Sequence, residues 1–139
     1  MFSHILVAYD GSDQSKKALT YIPHLAGNDT EIEVLHVYQN PVVIIGEAVI
    51  STPMLQKNYY EHEQAVEDEL RELIADIPRC RSTILTGRPA QTIIEYSLKN
   101  GVDLIVIGSR GHTAIDELFL GSTSHHVVQH SQIPVLIVK

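Results

Sequence analysis

Three glycines and the small polar residues around them carry the clearest chemistry in this sequence. Two residues separate Gly108 from Gly111, nine residues follow, and then comes Gly121-Ser122-Thr123. Glycine lets the backbone approach a ligand closely and adopts φ > 0 without steric penalty. A helix start carries free N–H groups and the positive end of the helix dipole. Gly121, Ser122 and Thr123 at such a start would offer amides and two hydroxyls to a small anion, with Arg110 adding charge nearby. Each glycine alone has a plainer use: ending a strand, serving a turn, admitting a close helix. The three together, flanked by two hydroxyls, favour a phosphate cradle built mostly of backbone.

Other residues are weighed in the same way. Asp10, in Tyr9-Asp10-Gly11-Ser12, ends the first apolar run. Its position favours a ligand contact over a turn-capping role, although an Asx-type turn would use the same side chain. His112 follows the glycine turn and suits a phosphate contact or an ordinary loop equally. His126 and His130 have the spacing of metal ligands on a helix, but no third ligand is evident, so a solvated face is the better reading. His36 sits inside an apolar run and reads as a hydrogen-bonded core histidine. Cys80 lacks a histidine neighbour in the sequence and does not read as a nucleophile. The acidic residues Glu61, Glu63, Glu67, Asp68, Glu69 and Glu72 suit the polar face of a helix.

The elements that would position these residues are legible. Short apolar runs at 5–8, 32–37, 104–107 and 135–138, and a weaker one at 82–85, read as buried strands. Helical periodicity lies between them. Ala18, Leu19, Ile22, Leu25 and Ala26 form one face, after Ser12-Asp13 as N-cap. Leu55, Tyr59, Val66, Leu70, Leu73 and Ile77 form a second, stopped by Pro78. Ala90, Ile93, Ile94, Ser97 and Leu98 form a third, between Pro89 and Asn100-Gly101. Leu120, Ser124, Val127, Val128 and Ser131 form a fourth. Such alternation predicts an α/β domain: a three-layer, doubly wound, five-stranded parallel sheet spanning residues 1–139. The segment from Gln39 to Pro53 interrupts the alternation and is expected to be a long loop, a lid or contact surface. In an open parallel sheet, ligands bind beyond the carboxyl ends of the strands where the strand order reverses. With the first strand central, the loops after the first and fourth strands, 9–12 and 108–112, meet that condition.

Composition removes several classes. The chain has 139 residues, 44% hydrophobic and 19% charged, which suits one globular domain. Seventeen acidic and ten basic residues leave a net charge of −7. That argues against affinity for DNA or RNA through many phosphates. One cysteine excludes a disulfide within the chain. No run approaches the roughly twenty apolar residues of a membrane span, and Met1-Phe2-Ser3-His4 lacks the cationic region of a signal peptide. A cytoplasmic location is expected. The sequence has no Gly-Lys pair of a P-loop, and no Gly-x-Gly-x-x-Gly follows the first strand.

These residues resemble the universal stress protein family, in its ATP-binding subgroup. The spacing Gly108-x-x-Gly111, nine residues, Gly121-Ser122 looks like that family's ATP signature. Ile5-Leu6-Val7-Ala8-Tyr9-Asp10-Gly11-Ser12 resembles its first strand and turn, and Val34-Leu35-His36-Val37 its second strand. Thr86-Gly87-Arg88-Pro89, the run from Val102 to Ser109 and the run from Ile133 to Val138 resemble later elements. The resemblance implies strand order 3-2-1-4-5 and ATP at the switch point, with Mg²⁺ on the phosphate oxygens. It implies that Ala8 and Tyr9 line the adenine pocket, Asp10 contacts the adenosine, and the Val37 backbone pairs with the base. Gly108, Arg110 and Gly111 would approach ribose and phosphates, and Gly121, Ser122 and Thr123 would hold the phosphate chain. It also implies an antiparallel homodimer through the last strand, from Pro134 to Lys139. Tyr9 is larger than the residue many binders carry there, so it crowds the base or stacks on it. The expected role is ATP binding in stress adaptation, with hydrolysis weak or absent. A slow ATPase or phosphotransferase, and a dimeric module taking AMP, a cyclic nucleotide or nothing, are the competing readings.

Overall fold

In the computed structural model, which describes residues 1–39, 43–50, 53–110 and 120–139, every apolar run becomes a strand. The chain runs β1 (His4–Ala8), α1 (Asp13–Leu25), β2 (Glu31–Tyr38), β3 (Val43–Ile45), β4 (Ala48–Ile50), α2 (Pro53–Ile74), β5 (Cys80–Thr86), α3 (Pro89–Lys99), β6 (Leu104–Gly108), α4 (Ser122–His130) and β7 (Val135–Val138). Five strands pair in parallel in the order β5-β2-β1-β6-β7. Counted along the chain within that sheet, the order is 3-2-1-4-5, as the family resemblance implied.

The helix boundaries follow local chemistry. The Ser12 hydroxyl accepts the Ser15 amide at 3.2 Å and caps α1. Pro89 opens α3, where its missing N–H costs nothing, and Asn100 with Gly101 at φ +68° closes it. Helices α1 and α2 cover one face of the sheet through Ala18, Leu19, Ile22, Val66 and Leu70. Helices α3 and α4 cover the other through Ile93 and Val127. Ile5 and Val7 face the first layer, Leu6 and Ala8 the second, because strand side chains alternate. All five residues of β1 are buried, which is why its run shows no polar alternation.

The expected loop between Gln39 and Pro53 is corrected. Strands β3 and β4 form an antiparallel hairpin, with Ile45 opposite Ala48. The reason is local: β-branched residues flank a two-residue turn, Gly46-Glu47, and Gly46 holds φ +65°. A second difference concerns α4, where Ser124 and Val127 are buried while Val128 is exposed and Leu120 precedes the helix.

One buried acid departs from the apolar pattern. Glu33 in β2 is 1% exposed and faces the α3 layer. Its Oε2 accepts from Arg81 Nε at 2.9 Å, Thr83 Oγ1 at 2.7 Å and Tyr96 OH at 2.8 Å. Burial works against ionisation, but these three donors outweigh it and hold the carboxyl below its ordinary value. A lowered acid contributes stability above the ordinary carboxylate range and loses it as pH falls through the lowered value. Glu33→Gln should therefore destabilise the protein by about 2 kcal/mol at neutral pH. The deficit relative to the parent should shrink in chemical denaturation at about pH 4.

Candidate functional site

The site is built where β1 stops between its neighbours. Its last rung is the Tyr9 amide donating to the Leu35 carbonyl at 2.9 Å. Beyond it the chain turns at Gly11, φ +81°, into the capped start of α1. Asp10 is exposed, and its Oδ1 accepts the Ser12 amide at 2.9 Å. The carboxylate thus forms the Asx turn weighed above, at the end of the strand.

Val37 lies on β2, past the end of β1. Residues of a parallel strand alternate the side on which they hydrogen-bond. The Leu35 carbonyl bonds toward β1, and the Tyr38 carbonyl accepts from Gly87 on the β5 side. The Val37 amide and carbonyl therefore face the side on which β1 has ended. Backbone so placed can pair with the edge of a planar heterocycle.

On the other side, β6 hands its end to α4. The Ser109 amide donates to the Val138 carbonyl at 2.7 Å, which anchors the exit of β6 to β7. The Ser109 carbonyl accepts twice, from the Gly121 amide at 2.7 Å and from Ser124 Oγ at 2.9 Å. These bonds bring Gly108 and Gly121 together across a gap of twelve intervening residues. Gly121 is the N-cap of α4 with φ −63° and ψ 162°, and no side chain caps the helix. Ser122 is exposed and Thr123 half-buried at the first two helical positions. Uncapped amides with two hydroxyls beside them suit an oxyanion. Arg110, half-buried, follows Ser109. Gly111 and His112 lie outside the described residues.

Tyr9 points away from this opening. It is 3% exposed and packs with Val7, Val34 and Val66 on the α1/α2 face. Its hydroxyl donates to Glu69 Oε1 at 2.5 Å, and Lys16 Nζ lies 3.3 Å from the same oxygen. Burial first, then the bond to Glu69 and the charges of Glu69 and Asp10, push the phenol well above its ordinary value. The bond from Tyr9 is the main cause that holds Glu69 below its own. Ala8 faces the other layer, with Leu6 and Ile107.

Several residues at this end of the sheet were invisible as site residues in the sequence. Ser109 and Ser124 supply the tie just described. His62 and Glu69 reach the ends of β1 and β2 from α2. They lie three residues beyond Tyr59 and Val66, so helical spacing from the apolar face was the available signal. His36 is the hydrogen-bonded core histidine expected, 7% exposed. His126 and His130 stack, ring centroids 4.4 Å apart, on the exposed side of α4. Among the described residues no group of three His, Cys, Asp or Glu is placed to hold a metal ion. Cys80 is half-buried at the far end of the sheet, its thiol pushed up to about 11 by burial. No described helix is long and apolar enough to cross a membrane.

The universal stress protein family model matches residues 1–139. This chain belongs to that family. The universal stress protein YxiE of Bacillus subtilis is 39% identical over 156 residues, with all of both chains covered. A universal stress protein of Thermus aquaticus is 36% identical over 140 residues, again with full coverage of both. Among solved structures, protein MJ0577 of Methanocaldococcus jannaschii superposes with a TM-score of 0.81 at 25% identity, over 100% of this chain and 96% of that one. A universal stress protein in complex with cAMP superposes at 0.71 with 23% identity, over 99% and 97% of the two chains. A family member from Arabidopsis thaliana with AMP bound does so at 0.67 with 21% identity, over 99% and 91%. The last two likenesses establish a shared fold.

Proposed function

We propose that this universal stress protein binds ATP between the ends of β1 and β6 and acts as a cytoplasmic regulator of stress adaptation. The observation that carries the reading is the uncapped start of α4, bound by Ser109 to the exit of β6. A phosphate chain there meets the amides and hydroxyls of Ser122 and Thr123, beside Gly121, which adds no side chain to block them, with Arg110 near. The Val37 backbone then takes the base, and Asp10 and Gly108 lie between base and phosphates. Gly111 and His112 belong to the same proposal on sequence grounds. Mg²⁺ would be carried on the phosphate oxygens, with the Ser122 and Thr123 hydroxyls as the nearby oxygen donors.

The chain works as one domain in this reading. It pairs with a second copy through the edge strand β7, whose outer backbone groups are available for pairing. The net charge of −7 supports a small-molecule partner over a nucleic acid. A second reading, AMP or a cyclic nucleotide, is favoured by the two family members of the same fold that hold those ligands.

Denaturing the purified protein and analysing the supernatant by chromatography and mass spectrometry identifies any carried nucleotide. Calorimetric titration of the stripped protein then ranks ATP, AMP and cAMP. ATP is expected to bind at least about tenfold more tightly than AMP, because only ATP reaches the α4 amides with its outer phosphates. Equal affinities would remove the α4 cradle and favour the second reading. No heat with any of the three would leave an interaction module.

A further inference from the structure

His36 and His62 meet at the edge of this site. His36 Nδ1 lies 2.8 Å from the Tyr9 carbonyl oxygen. A carbonyl only accepts, so Nδ1 carries a proton and the neutral ring presents a bare Nε2. His62 Nε2 lies 3.1 Å from it and must be the donor. This contact joins α2 to the end of β2, and the Tyr9 carbonyl joins both to the end of β1. Aromatic packing completes the join. The Tyr38 ring lies 4.4 Å from that of His62 and 4.9 Å from that of Tyr59, and Thr86 Oγ1 donates to Tyr59 OH at 2.6 Å.

Proton counting gives the pair a limited capacity. One added proton is tolerated: His36 then donates from both nitrogens, and His62 switches tautomer to accept. A second proton sets two N–H groups and two positive charges head to head. The surroundings relieve this only in part. Glu69 on α2 is an acid whose charge acts on His36, and it is shared with Tyr9, just past β1, and Lys16 from α1. Asp10, in the turn after β1, accepts the Ser12 amide. Tyr38 on β2 and Tyr59 on α2 are the other titratable rings packed against the pair. We infer that His36 and His62 are positioning residues for the nucleotide, forming a clasp that holds α2 against the ends of β1 and β2 and opens on acidification. The part of the site formed by Asp10 and the Val37 backbone is therefore intact when the pair carries at most one proton, and ligand affinity falls with acid. Burial, then the nearby His36, keeps His62 below its ordinary value. That direction agrees: the closed form is favoured above the ordinary histidine range and is lost as pH falls through the lowered value.

The inference rests on the nucleotide reading, so its test includes a measurement without ligand. In the ligand-free protein, imidazole ¹⁵N shifts of His36 and His62 should titrate in two coupled steps. The Asp10 amide ¹⁵N, in the same peptide group as the Tyr9 carbonyl, should move with them. His62→Gln keeps a donor toward His36 without titrating, and His36→Asn keeps a donor toward Tyr9. ATP affinity of the parent should fall about tenfold between about pH 7.5 and about pH 5.5, and both variants should flatten that profile to within about twofold. The profile is read as a ratio of variant to parent, so that titration of ATP itself cancels. Parallel loss of affinity in parent and variants overturns the inference, as does independent titration of the two rings with an unmoved Asp10 amide. If ATP binds at no pH, the nucleotide reading falls. The Asp10 shift then decides the clasp: movement in the parent and none in His62→Gln supports it, equal behaviour overturns it.

Discussion

Gly121→Asp is expected to weaken ATP binding by about a hundredfold or more while leaving the fold intact. Gly121 caps α4 at φ −63° and ψ 162°, a conformation open to any residue. Aspartate is among the best N-cap residues, so the helix itself should be unchanged or slightly more stable. The same carboxylate would accept the amides that the proposed phosphate needs, and would set a negative charge where the phosphate sits. Losing two amide contacts to a charged group costs about 3 kcal/mol, which is the hundredfold. Calorimetry with ATP and a thermal melt, run side by side, check both halves. Binding kept within about threefold would remove the cradle from α4.

Gly108→Ala should do the opposite and damage the fold. A Cβ at Gly108 would lie 2.7 Å from Gln14 Cβ, 3.2 Å from the Gln14 carbonyl carbon and 3.3 Å from the Ser15 nitrogen. None of these is the free end of a flexible side chain, so the first turn of α1 must move off β6. Overpacking of this kind costs about 2 kcal/mol, or about 7 °C in melting temperature for a chain of this length. The displaced turn is capped by Ser12, whose amide holds the Asp10 carboxylate, so ATP affinity should fall with stability. An unchanged melting temperature would show that α1 yields at no cost. The two glycines share one sequence motif yet differ in physical role. Gly108 is required by a neighbour's backbone, whereas Gly121 leaves a helix start open.

Much of the architecture was legible in the residues. Buried parallel strands announce themselves as β-branched runs, because both faces are covered and no polar alternation is needed. Ser12, Pro89 and Asn100-Gly101 marked helix ends through capping chemistry that acts within four residues. The hairpin β3–β4 was missed although its signal was local, a positive-φ glycine between β-branched residues. The surrounding apolar residues show no clear period, so nothing beyond the turn itself marks two strands. Within the site, the glycines and Asp10 stood out by type and spacing. Ser109, Ser124, His62 and Glu69 did not, because serine is common in loops and a polar residue beside an apolar helical face reads as solvated.

The sequence by itself determined the kinds of element, their order, the parallel sheet and the loops that flank a switch point. Those follow from periodicity and capping, which depend on neighbours within a few residues. Only the tertiary structure decided which buried polar groups meet. Tyr9 finds Glu69 sixty residues away, Glu33 finds Tyr96 across sixty-three, and His36 finds His62 across twenty-six. A burial pattern states that a polar side chain needs a partner. It carries no information about which residue of another element arrives within 3 Å, because that distance is set by the packing of whole helices on the sheet. The proton-sensitive contact between α2 and the ends of β1 and β2 belongs to this second class, since it exists only once α2 has docked on the sheet.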